Sequence, residues 1–295
     1  MCYPKDMLRT LLLLLTCFTV QAAQDKPLIL KFGVCPSDRA TIMYRKFSPI
    51  LESITAPLEN QLKQKVDIHL TIFEDYASGI DALANGDVDF VRFGPSSYIL
   101  AERKNPNIKL LAMELRKGLK TFSGVIIAKK DSGITSIAEL KGKKFAFGDE
   151  HSTIGRYLAQ SILVDYGLNE KNLASFDFLK RHDLVAKAVI TGTHDVGALK
   201  ASTYKKLCDQ EEFIVIKSFV NVAKPWVARG ELPKKIRSAI TASLIQLANS
   251  EIIGELGCSG FTEASPKDYE IVRQGMKNAL LFYPETLEES QEEID

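Results

Sequence analysis

The chain has 295 residues, 45% of them hydrophobic and 25% charged, with a formal net charge of +1. That composition is ordinary for a globular protein, and the length suits two domains of roughly 100 to 150 residues. The balance of charge argues against a nucleic-acid partner, which normally leaves a basic patch or stripe.

At the amino terminus Lys5 and Arg9 precede the apolar run Leu11 to Val20, and Val20-Gln21-Ala22 offers small residues for cleavage before Ala23. This is the pattern of a secretory signal peptide over residues 1–22. The apolar run is about ten residues, whereas a bilayer span takes about 20. Leu14-Leu15-Thr16-Cys17 loosely resembles a lipoprotein attachment sequence. Thr16 is bulky for the site before the cysteine, however, so a plain leader is the expectation and lipid anchoring at Cys17 its alternative. The mature chain then keeps Cys35, Cys208 and Cys258, an odd number that allows at most one disulfide. Their spacing fits no metal site, and buried small apolar residues are the expected role.

Leu28 to Val34 reads as a buried strand, and Arg39 to Leu62 carries helical apolar periodicity through Phe47, Ile50, Leu51, Ile54 and Leu58. Val66 to Ile72 alternates as a second strand, Tyr76 to Asn85 forms a short helix ending at Gly86, and Val88 to Phe93 is a third strand. This alternation implies a parallel α/β sheet. A helix from Ser96 to Lys104 and a strand from Ile108 to Leu115 follow, and the polar stretch Arg116 to Thr121 leads to the strand Ser123 to Lys129. The first crossover between lobes is expected there.

A second α/β lobe is predicted from Ser136 to Leu140, strand Lys144 to Gly148, helix Thr153 to Tyr166, strand Ser175 to Leu179, helix Asp183 to Ile190 and strand Asp195 to Leu199. Strand Ile214 to Ser218 and extended Pro225 to Ala228 supply the return crossover. Helices near Lys234 to Asn249 and Lys267 to Leu281 are expected to pack on the first lobe, with Glu285 to Asp295 as an acidic tail. The lobes are then residues 23–121 with 219–295, and 122–218.

In open α/β sheets ligands sit beyond the carboxyl ends of strands, where free backbone N–H groups at helix starts can hold an anion. Two such junctions are rich in hydroxyls, Gly94-Pro95-Ser96-Ser97-Tyr98 and Gly148-Asp149-Glu150-His151-Ser152-Thr153-Ile154-Gly155. Either junction alone reads as ordinary helix capping; one in each lobe suits a tetrahedral oxyanion held without fixed positive charge.

These stretches, with Phe32-Gly33-Val34, Asp75-Tyr76-Ala77, the run Ala138 to Asp149 and His182-Asp183, resemble the phosphate, phosphite and phosphonate binding proteins of ABC importers. The resemblance runs in order over about residues 28 to 240. It implies a two-lobed type II periplasmic-binding-protein fold with mixed or parallel sheets, helices on both faces and two hinge crossovers. It also implies a periplasmic monomer that takes a small-molecule anion, needs no cofactor and docks on an ABC permease. The residues it carries over are Tyr76, Tyr98, Ser152, Thr153 and His182; Ser96 and Ser97 join them from the first junction. The third hydroxyl of the family's Ser-Thr-Ser run is Ile154 here. Carboxylates that bind a phosphonate's amino group in some relatives have Asp183 and Asp195 as their candidates. The rival readings are a sensor for a membrane kinase or signalling enzyme, a binder of a different small anion, and an enzyme using Ser152 with His182 or His151. The last lacks a Gly-x-Ser-x-Gly elbow, a paired metal motif and a P-loop.

Overall fold

The computed structural model describes residues 26–209, 211–247 and 251–283; the leader, Cys17 and the acidic end lie outside them. Strand β1 (Leu28–Val34) is buried at four of its seven positions, and β2 (Val66–Ile72) and β3 (Phe90–Arg92) pair with it in parallel on either side. Each parallel step needs a crossover, supplied by the helices Ala40–Leu62 and Tyr76–Asn85. The longer helix buries Met43, Phe47, Ile50, Leu51, Ile54, Leu58 and Leu62, the stripe its periodicity predicts.

Beyond β3 the first sheet turns antiparallel. Its order is β11-β4-β10-β3-β1-β2, with β4 at Lys109–Leu115, β10 at Pro225–Ala228 and β11 at Gly260–Thr262. The second sheet runs β7-β6-β8-β5-β9, using β5 (Thr121–Lys129), β6 (Lys144–Phe147), β7 (Ser175–Phe178), β8 (Val196–Lys200) and β9 (Phe213–Val222). Here β6 pairs in parallel with β7 and β8, while β5 is antiparallel to β8 and β9. The chain therefore passes between sheets at β4 to β5 and again at β9 to β10. At the second passage Ala223 N donates to Lys120 O at 2.8 Å, which ties the two crossing strands together.

Each lobe has its own core. Trp226 stacks on Phe32 at 4.7 Å between ring centroids in the first, and Phe145 and Phe147 lie 4.3 Å apart in the second. The C-terminal helix Glu270–Leu280 departs from the expectation that it packs on the first lobe alone. It begins there, with Tyr269 against Tyr98 at 5.0 Å. It ends on the second, where Asn278 Nδ2 donates to Ser161 Oγ at 3.0 Å and Asp165 Oδ1 at 2.8 Å, and Phe282 is fully buried beside Phe147 and Phe176. A helix with apolar residues on one face and amides on another can serve two lobes; its periodicity alone does not say which.

Cys35, Cys208 and Cys258 are free and buried, and burial pushes the Cys35 thiol up to about 12. Short elements that lack a periodic pattern were not expected from sequence, namely β11, the helix Ala201–Leu207 and the turn of helix Glu251–Gly254.

Candidate anion-binding cleft

The two hydroxyl-rich junctions face each other. In the first lobe β3 ends at Arg92, Gly94 caps the helix Pro95–Lys104, and Pro95 takes the first helical position, where its missing N–H costs nothing. In the second lobe β6 ends at Phe147 and a π-helical turn, Thr153–Tyr157, opens the helix Leu158–Asp165. Ser152 caps that turn, its Oγ accepting from Gly155 N at 3.0 Å. Glycine is required at both ends of this loop: a Cβ on Gly155 would stand 2.7 Å from Gly148 Cα, and Gly148 N donates to Gly155 O at 2.8 Å.

Across the gap Ser96 N donates to Thr153 Oγ1 at 2.9 Å, the Ser96 and Thr153 hydroxyls lie 2.8 Å apart, and Ser96 Oγ donates to His151 O at 2.7 Å. The two helix starts thus touch, and the cleft beside them is lined by Tyr76, Ser152, Thr153, His182, Lys200 and Lys224 together with Gly94, Pro95, Phe122, Ile154 and Asn221. Its free space is about 270 Å³, counted out to open solvent.

Four of the seven residues singled out from sequence meet in this cleft: Tyr76, Ser152, Thr153 and His182. Tyr76 enters from a helix whose cap, Asp75, forms a reciprocal box with Ser78. Burial pushes its hydroxyl well above the ordinary tyrosine range, so it is a neutral donor. His182 opens the helix His182–Ile190, and its Nδ1 is buried without a partner. Burial, and then Lys200 and Lys224, drive its pKa well down, so it too is neutral and can donate from one nitrogen. Ser96 holds the opposite lobe rather than facing the cleft. Ser97 lies fully buried beneath it, its Oγ unpartnered. Tyr98 points into the first-lobe core and donates to Glu102 Oε1 at 2.6 Å, because a residue two places on from Ser96 falls on the helix's inner face.

The carboxylate candidates are elsewhere. Asp183 forms a two-pronged pair with Arg181, both contacts 3.0 Å, and Asp195 Oδ2 accepts from Lys144 N at 2.8 Å. In their place stand two lysines that the sequence reading passed over. Lys200 ends the buried strand β8, and Lys224 sits between β9 and β10 with only 8% of its surface exposed. The signal was a lysine closing the apolar run Val196 to Leu199, at the carboxyl end of a strand. Burial, reinforced by Arg92 and Arg116, lowers the Lys200 pKa to about 7. Lys224 is driven well below its ordinary value by burial, Arg92 and Lys200.

Two α/β lobes joined by two crossing strands, with hydroxyl and imidazole groups from both facing one cleft, define a periplasmic-binding-protein architecture. Residues 32–269 match the family model for the periplasmic substrate-binding protein of the phosphonate ABC transporter, and the chain belongs to that family. Membership implies an extracytoplasmic protein that works with an ABC importer. The chain is 24% identical over 275 residues to the probable ABC transporter phosphite binding protein PhnD1 of Prochlorococcus marinus, covering 85% of this chain and 89% of that one. It is also 24% identical over 263 residues to the phosphate-import protein PhnD of Mycolicibacterium smegmatis, covering 84% and 76%. Among solved structures, Prochlorococcus PhnD1 in complex with methylphosphonate superposes with a TM-score of 0.75 at 22% identity, covering 87% of this chain and 100% of that one. The sulphonate-binding protein SsuA of Escherichia coli shares the fold at a TM-score of 0.60 and 19% identity, covering 89% of each chain.

Proposed function

We propose that this protein captures a phosphorus oxyanion, a phosphonate, phosphite or phosphate, between its lobes and presents it to an ABC permease. The observation that carries this reading is the convergence of Tyr76, Ser152, Thr153 and His182 with two lysines in one interlobe cleft. Neutral hydroxyl and imidazole donors satisfy the oxygens, and the lysines supply charge. Relatives named for phosphite and phosphate import, and a similar fold holding methylphosphonate, support the ligand class.

In this reading the leader over residues 1–22 is removed, and the mature protein works as a periplasmic monomer with no nucleic-acid partner. Residues 23–121 and 219–295 build the first lobe and 122–218 the second. The anion draws the lobes together by bending at the crossing strands, and the helix Glu270–Leu280, packed on both lobes, limits that motion to a pivot about itself. No covalent chemistry is part of it: Ser152 Oγ is engaged as a helix cap, and no hydrogen bond joins it to His182 among the described residues.

Thermal shift on the mature, ligand-free protein tests the reading, since a ligand bound only by the folded state raises the melting temperature. Stabilisation by phosphate, phosphite or methylphosphonate, reduced in Tyr76→Phe and Ser152→Ala, is the expected result. Stabilisation by none of them rejects the assignment and leaves the fold intact.

A further inference from the structure

Beside the cleft, two guanidiniums share one carboxylate, with two lysines nearby. Glu114 is fully buried; its oxygens accept from Arg92 Nε at 2.7 Å, Arg92 Nη2 at 3.0 Å and Arg116 Nη2 at 2.7 Å. That carboxylate is fully engaged by two guanidiniums. Lys200 and Lys224 line the cleft next to them, and among the described residues neither ammonium has a hydrogen bond or an ion pair. Asp38, whose charge reaches Lys200, is itself paired with Lys46 at 3.1 Å. Asp149, whose charge reaches Tyr76, accepts from His151 N at 2.8 Å.

Buried charge without a partner is costly, and natural proteins keep it where a ligand supplies the compensation. A tetrahedral dianion brings two negative charges to two lysines, and its charge favours the protonated form of each. An aminoalkyl phosphonate would bring a third ammonium into a region where Asp183 and Asp195 are both committed elsewhere. A sulfonate has the same shape but one charge fewer. We infer that Lys200 and Lys224 make this cleft selective for a compact, doubly ionised oxyanion, against zwitterionic aminoalkyl phosphonates and against monoanionic sulfonates. The inference rests on the phosphorus-oxyanion reading above and narrows its substrate class.

Isothermal titration of the mature protein with methylphosphonate, 2-aminoethylphosphonate and methanesulfonate at mildly alkaline pH tests it. Wild-type protein is expected to prefer methylphosphonate over each of the others by about tenfold or more, the range of a charge-assisted contact. Lys200→Met and Lys224→Met are each expected to weaken methylphosphonate about tenfold, to change methanesulfonate less, and so to shrink the preference. Both ligand-free variants should melt no lower than wild type, because a structural role for either lysine would instead lower the melting temperature. Equal affinity for methylphosphonate and either competitor overturns this inference alone, as does an undiminished preference in both variants. Binding of no phosphorus compound overturns the proposed function and this inference with it.

Discussion

Two sets of buried or partly buried basic side chains meet at the interlobe boundary, and they are built on opposite principles. Arg92 and Arg116 share the Glu114 carboxylate, Trp226 Nε1 lies 3.4 Å from the same carboxylate, and the Arg92 guanidinium sits 5.4 Å from the centre of the Phe47 ring. Every charge there has a partner supplied by the fold. Lys200 and Lys224 lie within electrostatic reach of this cluster and have no partner among the described residues. The paired set holds β3, β4 and β10 in place, since Arg92, Glu114 and Trp226 come one from each. The unpaired set is free to answer to a ligand. What separates the two sets is whether the chain itself provides the counter-charge.

Breaking the paired set gives the largest expected effect. Glu114→Gln leaves the buried Arg92 and the partly buried Arg116 guanidiniums without an anion and should cost about 3 to 5 kcal/mol in a denaturant titration. Acid does the same to the wild type. Burial alone would raise the Glu114 carboxyl, but Arg92 and Arg116 hold it down at about 2. Its contribution is therefore complete above the ordinary value of 4.5 and is lost as pH falls through about 2. A Glu114→Gln variant whose stability equals wild type at neutral pH would break the comparison.

The unpaired set should behave in reverse. The folded state lowers the Lys200 pKa from 10.5 to about 7, so the unfolded chain binds the extra proton between those values. The ligand-free protein should gain stability as pH rises through that window. Lys200→Met should be more stable than wild type by about 1 to 4 kcal/mol near neutrality, with the gap closing toward the upper end. A gap that stays constant with pH would show that something other than the proton is responsible.

Ser152→Ala should weaken phosphorus-oxyanion binding by about 1 to 3 kcal/mol, measured by titration calorimetry, because a donor buried at the cleft is removed. Tyr98→Phe should have the smallest effect. It loses the bond to Glu102, about 1 kcal/mol of stability, and should leave anion affinity unchanged. A large affinity loss in Tyr98→Phe would place that hydroxyl in the cleft after all and undo the division between the two regions.

Much of this was readable along the chain. The helix Ala40–Leu62 repeats its apolar residues at helical spacing, β1 is an apolar run broken only by Lys31, and the cap residues Asp75, Gly94 and Ser152 mark three helix starts at the carboxyl ends of strands. Those local signals single out Ser152 and Thr153, while Tyr76 and His182 come into consideration only through the family resemblance. The resemblance also named Tyr98, whose hydroxyl the structure turns to Glu102, and offered Asp183, whose neighbour Arg181 takes up both its oxygens.

By itself the sequence determined the alternation of strands and helices, the two lobes and the hydroxyl-bearing junctions, because periodicity, capping and close-packed glycines act over a few residues. Only the tertiary structure decided that Lys200 and Lys224 share a cleft, that Glu114 is already engaged by two arginines, and that the last helix spans both lobes. Charge compensation is a property of groups brought together from strands far apart in the chain. No local pattern records whether a lysine at the end of a strand will find its counter-ion in the protein or must take it from a ligand.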